Sequence, residues 1–252
     1  MEPKTILITQ ARMGSSRLKG KVLKRIEGDS LLQIHLSRIK KSTKIDEFIV
    51  ATTLESEDDL IAEEISNIGV HLYRGSVNDV LDRYYQAAKP FNPDWVVRVT
   101  ADCPLVDPNL IDEIVSIAHD REVDYVSNTL KEFFPDGQDI EVFKFSALQD
   151  AWNLSVKSSD REHVTLFLKN NSDFRGGRLF KAVNVEYKKD FSPIRMTVDE
   201  MRDFDMMKVL ITRLGYNKSW LEYADYIVEH QLNLINGDIL RNEGLLKSLE
   251  ND

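Results

Sequence analysis

The sequence predicts an α/β fold: a three-layer α/β/α arrangement around a mostly parallel sheet. Three observations predict it. Short β-branched, apolar runs recur along the chain, helix-length amphipathic segments separate them, and no internal repeat or Pro/Gly/Ser linker divides the 252 residues. Strands joined by helices need right-handed crossovers, and these build a doubly wound sheet whose ligands lie at the carboxyl ends of its strands.

Residues 5–9 (TILIT) form the first buried strand run. A polar loop rich in Gly, Ser and Arg follows it. Leu31, Leu32, Ile34, Leu36 and Ile39 then recur with helical spacing behind Asp29-Ser30, which suits a cap. Residues 48–52 (FIVAT) predict the second strand. Ser56-Glu57-Asp58-Asp59 opens a helix with acid in its first turn and with Leu60, Ile61, Ile65 and Ile68 on one face, and Gly69 ends it. Residues 70–73 predict a short strand, 78–88 a helix and 95–100 (WVVRVT) a buried strand. Residues 108–119 predict a helix with proline in its first turn, and 124–127 continue the sheet. The pattern changes over 129–142, which suits a hairpin or loop. Helices are expected at 146–156 and 161–170, a strand at 179–185 after Gly176-Gly177, a last short strand at 195–198, and helices at 203–214 and 219–232. The simplest organisation is one domain over 1–252 with an inserted lobe at about 129–190.

Lys plus Arg number 33 against 42 Asp plus Glu, for a net charge of −9. That acidity argues against sequence-independent binding of nucleic acid, which needs a basic surface. No run approaches the roughly 18 apolar residues of a membrane span, and Met1-Glu2-Pro3-Lys4 leads straight into a strand, so a cytoplasmic protein is expected. Cys103 is the single cysteine, which excludes an intrachain disulfide and any cysteine-built metal cage. With no histidine near it in sequence, Cys103 reads as structural. Trp95, Trp152 and Trp220 lie in apolar contexts and read as core.

Against this acidic total, the window Gln10–Lys21 carries Arg12, Arg17, Lys19 and Lys21 and no acid. Gly14, Ser15 and Ser16 after a buried strand let backbone N–H groups close around an anion that the cations neutralise. This predicts a phosphate loop. It is neither G-x-x-x-x-G-K-S/T nor G-x-G-x-x-G, so neither a P-loop ATPase nor a dinucleotide fold is indicated. Asp102 follows the buried strand at 95–100, and Asp199 follows the run at 195–198. A carboxylate at a strand's carboxyl end faces the ligand crevice, and beside phosphates its usual task is to hold Mg²⁺.

The loop resembles the A-R-x-x-S-x-R-L-x-G-K signature of the CTP-dependent sugar-acid cytidylyltransferases, which activate 3-deoxy-manno-octulosonate and neuraminate. The nearer resemblance is to the spore-coat polysaccharide branch. Its R-G-x-x-x-D-V-L-x-R-Y stands at 74–84, its R-x-T-x-D-C-P-L at 98–105 and its R-x-T-V-D at 195–199, with further matches at 135–143 and 161–165. Thr100 stands where the sugar-acid enzymes usually carry glutamine.

The resemblance implies a GT-A-like, Rossmann-like nucleotidyltransferase fold and a Mg²⁺-dependent transfer of CMP from CTP to an anionic sugar or phosphorylated acceptor. It implies that Arg12, Arg17, Lys21 and Asp102 carry the reaction, with Asp102 and Asp199 on the metal. Ala11, Gly14, Ser15, Ser16, Asp79, Arg83 and Thr100 would contact the nucleotide. Asp139, Glu141, Arg161 and His163 would face the acceptor, and a homodimer is expected. Two alternatives are a GT-A glycosyltransferase, which usually shows a D-x-D motif that Asp102-Cys103-Pro104 lacks, and a non-catalytic nucleotide-binding subunit, which has no need of the full set of charges.

Overall fold

The computed structural model describes residues 2–243. In chain order its elements are β1 (Thr5–Gln10), β2 (Arg25–Ile26), β3 (Asp29–Ser30), α1 (Leu31–Ile39), β4 (Glu47–Thr53), α2 (Asp59–Ile65) and β5 (His71–Gly75). Next come α3 (Val80–Ala88), β6 (Trp95–Thr100), α4 (Pro108–Asp120), β7 (Tyr125–Ser127) and β8 (Glu141–Lys144). The chain closes with α5 (Phe145–Leu154), α6 (Ser158–Glu162), α7 (Leu166–Asn170), β9 (Ala182–Asn184), α8 (Met201–Leu214) and α9 (Trp220–Glu229).

Seven strands form one sheet in the order β5-β4-β1-β6-β8-β7-β9. The first four are parallel, β8 runs antiparallel to both of its neighbours, and β9 is parallel to β7. The chain winds outward from β1 through β4 to β5, then crosses back to place β6 on the other side of β1. That reversal makes the switch point lie between β1 and β6, and the register sets Gln10 against Thr100 there. The basic loop and Asp102 therefore leave adjacent strand ends, in the crevice that doubly wound sheets use for ligands.

Apolar side chains cover both faces of the sheet. Val50, Val97 and Val99 pack with α1, α4, α8 and α9 on one side; Ile8, Ile49 and Val96 pack with α3, α5 and α7 on the other. Ser30 caps α1 as expected, within a capping box shared with Gln33; such a cap contributes about 1 kcal/mol. No helix among the described residues is long and apolar enough to cross a membrane.

Four sequence expectations change. Residues 25–30 fold as a small hairpin, β2 with β3, inside what had read as a polar loop. The segment at 129–190 is more than a lobe, because it supplies β8 and β9 to the main sheet. The expected strand at 195–198 is absent: a single bridge joins Asp136 to Arg195, and no ladder extends it. The expected helix at 161–170 breaks into α6 and α7 because Val164 takes a left-handed φ of 41°, a conformation that a β-branched residue adopts only under tertiary constraint.

Gly137 positions the last part of the crevice. It has φ 106°, and a Cβ there would lie 2.6 Å from the carbonyl carbon of Met196. Only glycine lets the chain around Asp136 pass so close to residues 195–197. The amide of Met196 then donates to the Asp136 carbonyl at 2.6 Å.

Candidate active site

A cleft of about 1030 Å³ opens over the carboxyl ends of β1 and β6. Ala11, Arg12, Ser15, Ser16, Arg17, Lys21, Arg83, Thr100, Asp102, Asp139, Glu141, His163 and Asp199 line it, which brings most of the expected site into one cavity.

The loop between β1 and Lys21 owes its shape to two devices. Met13 is a pivot: its carbonyl accepts from the amides of Ser15, at 2.9 Å, and Gly20, at 3.0 Å. Gly20 takes a left-handed φ of 66°, a position that suits glycine. Beneath the loop, the buried carboxylate of Asp58 accepts from the Met13 amide at 2.7 Å, from the Thr52 hydroxyl at 2.9 Å and from the amide and hydroxyl of Thr53. Burial alone would raise the Asp58 pKa, and these donors hold it below the usual carboxylate range. Gly14 has open space around it and is not among the residues that line the cleft.

At the mouth of the loop the ammonium of Lys21 lies 2.7 Å from Asp102 Oδ2 and 2.7 Å from Asp199 Oδ1. Arg17 reaches the same Asp199 oxygen at 3.0 Å and Glu243 at 3.3 Å. Lys21 is 8% exposed, so this is a buried charge cluster. Burial would lower the Lys21 pKa, yet Asp102 and Asp199 raise it. In turn, the Lys21 ammonium overcomes the burial of Asp102 and holds that carboxyl well below its usual range. The two directions agree on an ionised Lys21–Asp102 pair.

Arg195 holds this arrangement from behind. It donates through Nε to Asp203 Oδ1 at 2.8 Å, through Nη1 to Asp136 Oδ2 at 2.6 Å, and through Nη2 to Asp199 Oδ2 at 3.1 Å and Asp203 Oδ2 at 3.0 Å. Asp203 also caps the start of α8, accepting from the amides of Asp199 and Glu200, and takes a bond from Asn236. Burial and the nearby Asp139 raise the Asp136 pKa, against Arg241 and Arg195. These carboxylates therefore crowd one end of the cleft.

Two carboxylates converging on one cation fit a divalent ion such as Mg²⁺, which takes one or two protein carboxylates and completes its shell with water and substrate phosphate. Among the described residues there is no group of three or more His, Cys, Asp or Glu side chains gathered to hold a metal unaided.

Arg83 adds an unusual donor. It is 2% exposed, and its Nε and Nη1 have no hydrogen-bond partner. Burial, together with the neighbouring Arg12, lowers its pKa, so an anionic or carbonyl acceptor in the cleft would relieve it.

Other expected contacts are engaged elsewhere. Asp79 and Arg161 form a bidentate pair, with Arg161 Nε at 3.0 Å from both carboxylate oxygens, and neither is among the cleft-lining residues. Asp79 also caps α3 through the Asp82 amide. Asp139 pairs with Arg241 at 2.5 Å. Glu141, 1% exposed, is bonded by Arg98, by Lys169 at 2.8 Å, by the Tyr125 hydroxyl at 2.6 Å and by the Thr165 hydroxyl at 2.7 Å. His163 lines the wall, and burial pushes its ring below the usual histidine range. Burial drives the Cys103 thiol well above its usual value, so it is no nucleophile.

A basic loop and an opposed pair of acids, set at the switch point of a doubly wound sheet, define a nucleotidyltransferase. The chain belongs to the cytidylyltransferase family, whose sequence model matches residues 6–240. It is 42% identical over 203 residues to the protein MJ1063 of Methanocaldococcus jannaschii, covering 81% of each chain. It is 31% identical over 217 residues to the spore coat polysaccharide biosynthesis protein SpsF of Bacillus subtilis, covering 83% of this chain and 87% of that one. A solved structure of a cytidylyltransferase from Leptospira borgpetersenii superposes with a TM-score of 0.87 at 31% identity, over 95% of this chain and 100% of the other.

Proposed function

We propose that the protein transfers CMP from CTP to an anionic sugar, either a sugar acid or a phosphorylated polyol, and releases pyrophosphate for surface-polysaccharide assembly. The observation that carries this is the Lys21 ammonium held 2.7 Å from both Asp102 and Asp199 at the mouth of a basic loop. The name of the Bacillus subtilis relative supports the polysaccharide setting.

Transfer requires an acceptor oxygen in line with the α-phosphorus, and protein groups contribute through positioning and charge rather than covalent chemistry. Arg12, Arg17 and Lys21 neutralise the triphosphate, and Ser15 and Ser16 orient it. Arg83, Ala11 and Thr100 form the wall beside the nucleotide. Asp102 and Asp199 would hold Mg²⁺, which would supply Lewis-acid neutralisation of the charge on the phosphates and on departing pyrophosphate. Lys21 sits where that leaving charge develops, a preorganised cation in a cleft of low dielectric.

Incubation with each of the four NTPs, Mg²⁺ and a panel of sugar acids and polyol phosphates tests this reading. Acceptor-dependent pyrophosphate from CTP is the expected result. Release of a nucleoside diphosphate from a sugar nucleotide, with no pyrophosphate from any NTP, would replace it with the glycosyltransferase reading.

A further inference from the structure

We propose that Arg98 and Lys169 form the subsite that takes the acceptor's anionic group, and that Glu141 fixes them in place. This deepens the nucleotidyl-transfer reading above and rests on it. Both cations line the same cleft as the phosphate loop. Arg98 stands on β6, two residues before Thr100 and on the same face of the strand. Lys169 comes from α7, and its ammonium lies 2.8 Å from Glu141 Oε1.

The charge balance makes the case. Glu141 is ionised and buried, and Arg98 and Lys169 both pair with it. The Tyr125 and Thr165 hydroxyls donate to Glu141 as well, so its acceptor capacity is engaged. The trio therefore keeps one positive charge in excess. Burial, with Arg98 and Lys169, lowers the pKa of the His163 ring beside it, against Glu162, which stands 3.9 Å from that ring. Arg98 Nε and His163 Nε2 have no hydrogen-bond partner although both are enclosed. A half-buried cation with an enclosed, unmet donor is costly until an anion arrives.

The loop end of the cleft has the opposite balance. Arg195 is shared among Asp136, Asp199 and Asp203, Lys21 between Asp102 and Asp199, and Arg241 among Asp139, Asp136 and Glu132, with Arg17 also on Asp199. That end calls for metal and the far end for an anion. Placing the acceptor's charge at Arg98 and Lys169 keeps it away from the acidic end and holds the sugar along the cleft between the two.

Three matched open-chain polyols test the subsite: D-glucitol, which is uncharged, D-gluconate and D-glucitol 6-phosphate. Their binding to the full-length protein is measured by calorimetry in the presence of CMP, for wild type, Lys169→Met and Lys169→Arg. CTP binding is measured on the same samples. At least one anion is expected to bind about tenfold or more tighter than glucitol. Lys169→Met should abolish that preference and leave CTP affinity unchanged, and Lys169→Arg should keep the preference. Whichever anion is preferred identifies carboxylate or phosphate as the source. Equal binding of all three probes, no binding of either anion, or an undiminished preference in Lys169→Met would overturn the subsite. Should Lys169→Met fail to fold, the wild-type contrast between anion and glucitol decides. Failure of CTP to bind while the anion preference stands would sink the nucleotide reading instead.

Discussion

Replacing Lys21 by alanine is expected to lower kcat/KM for CTP by about 10²-fold or more, read as pyrophosphate release with a working acceptor. Among the described residues its ammonium is the one cation that both Asp102 and Asp199 contact at 2.7 Å, and it is almost wholly buried. Its field therefore acts on the triphosphate with little screening by solvent. Removal takes away a positive charge already aimed at the leaving group and leaves two carboxylates facing one another. Asp102→Asn should cause a loss of similar size. Circular dichroism on the same samples separates lost chemistry from lost structure, and near-normal turnover by a folded Lys21→Ala protein would contradict the assignment.

The second large effect concerns stability. Arg195→Met is expected to destabilise the protein by about 3–5 kcal/mol, because it leaves the buried carboxylate of Asp203 without its cation and Asp136 with Arg241 alone, 3.9 Å away. In a chain of this length that corresponds to a fall in Tm of about 10 °C. Methionine nearly conserves volume, so an unchanged Tm would mean that the network around Arg195 contributes nothing net. Arg202, paired with Asp238 on the exposed surface, is the matched control and should leave Tm where it is.

The basic loop was legible in the sequence because its signal is local: four cations without an acid, directly after a buried strand. Asp102 was legible for the same reason, since a carboxylate ending a hydrophobic strand has few structural duties. The alternation of strands and helices likewise announced the parallel half of the sheet, from β5 to β6. What stayed hidden depends on contacts between distant segments. β8 spans only Glu141–Lys144 after an irregular stretch, and only its pairing with β6 and β7 makes it a strand. Arg161 and Asp79 both read as ligand contacts, yet they lie 82 residues apart in sequence and neutralise each other. Glu141 had read as an acceptor contact for the same reason. Nothing in its local sequence says that Arg98, Lys169, Tyr125 and Thr165 converge on it. Arg195 was visible as part of a motif, but its role in holding Asp199 and Asp203 appears only once the segment at 195–199 is packed against Asp136.

In the proposed reaction Asp102 and Asp199 form a metal-dependent triphosphate site with the basic loop. Calorimetric titration of CTP, with and without Mg²⁺, tests it most directly on wild type and on the Asp102→Asn/Asp199→Asn double variant. Mg²⁺ is expected to tighten CTP binding to wild type by about tenfold or more and to have no effect on the variant, which still binds CTP through the loop. The same Mg²⁺ enhancement in both proteins, or none in wild type, would contradict it.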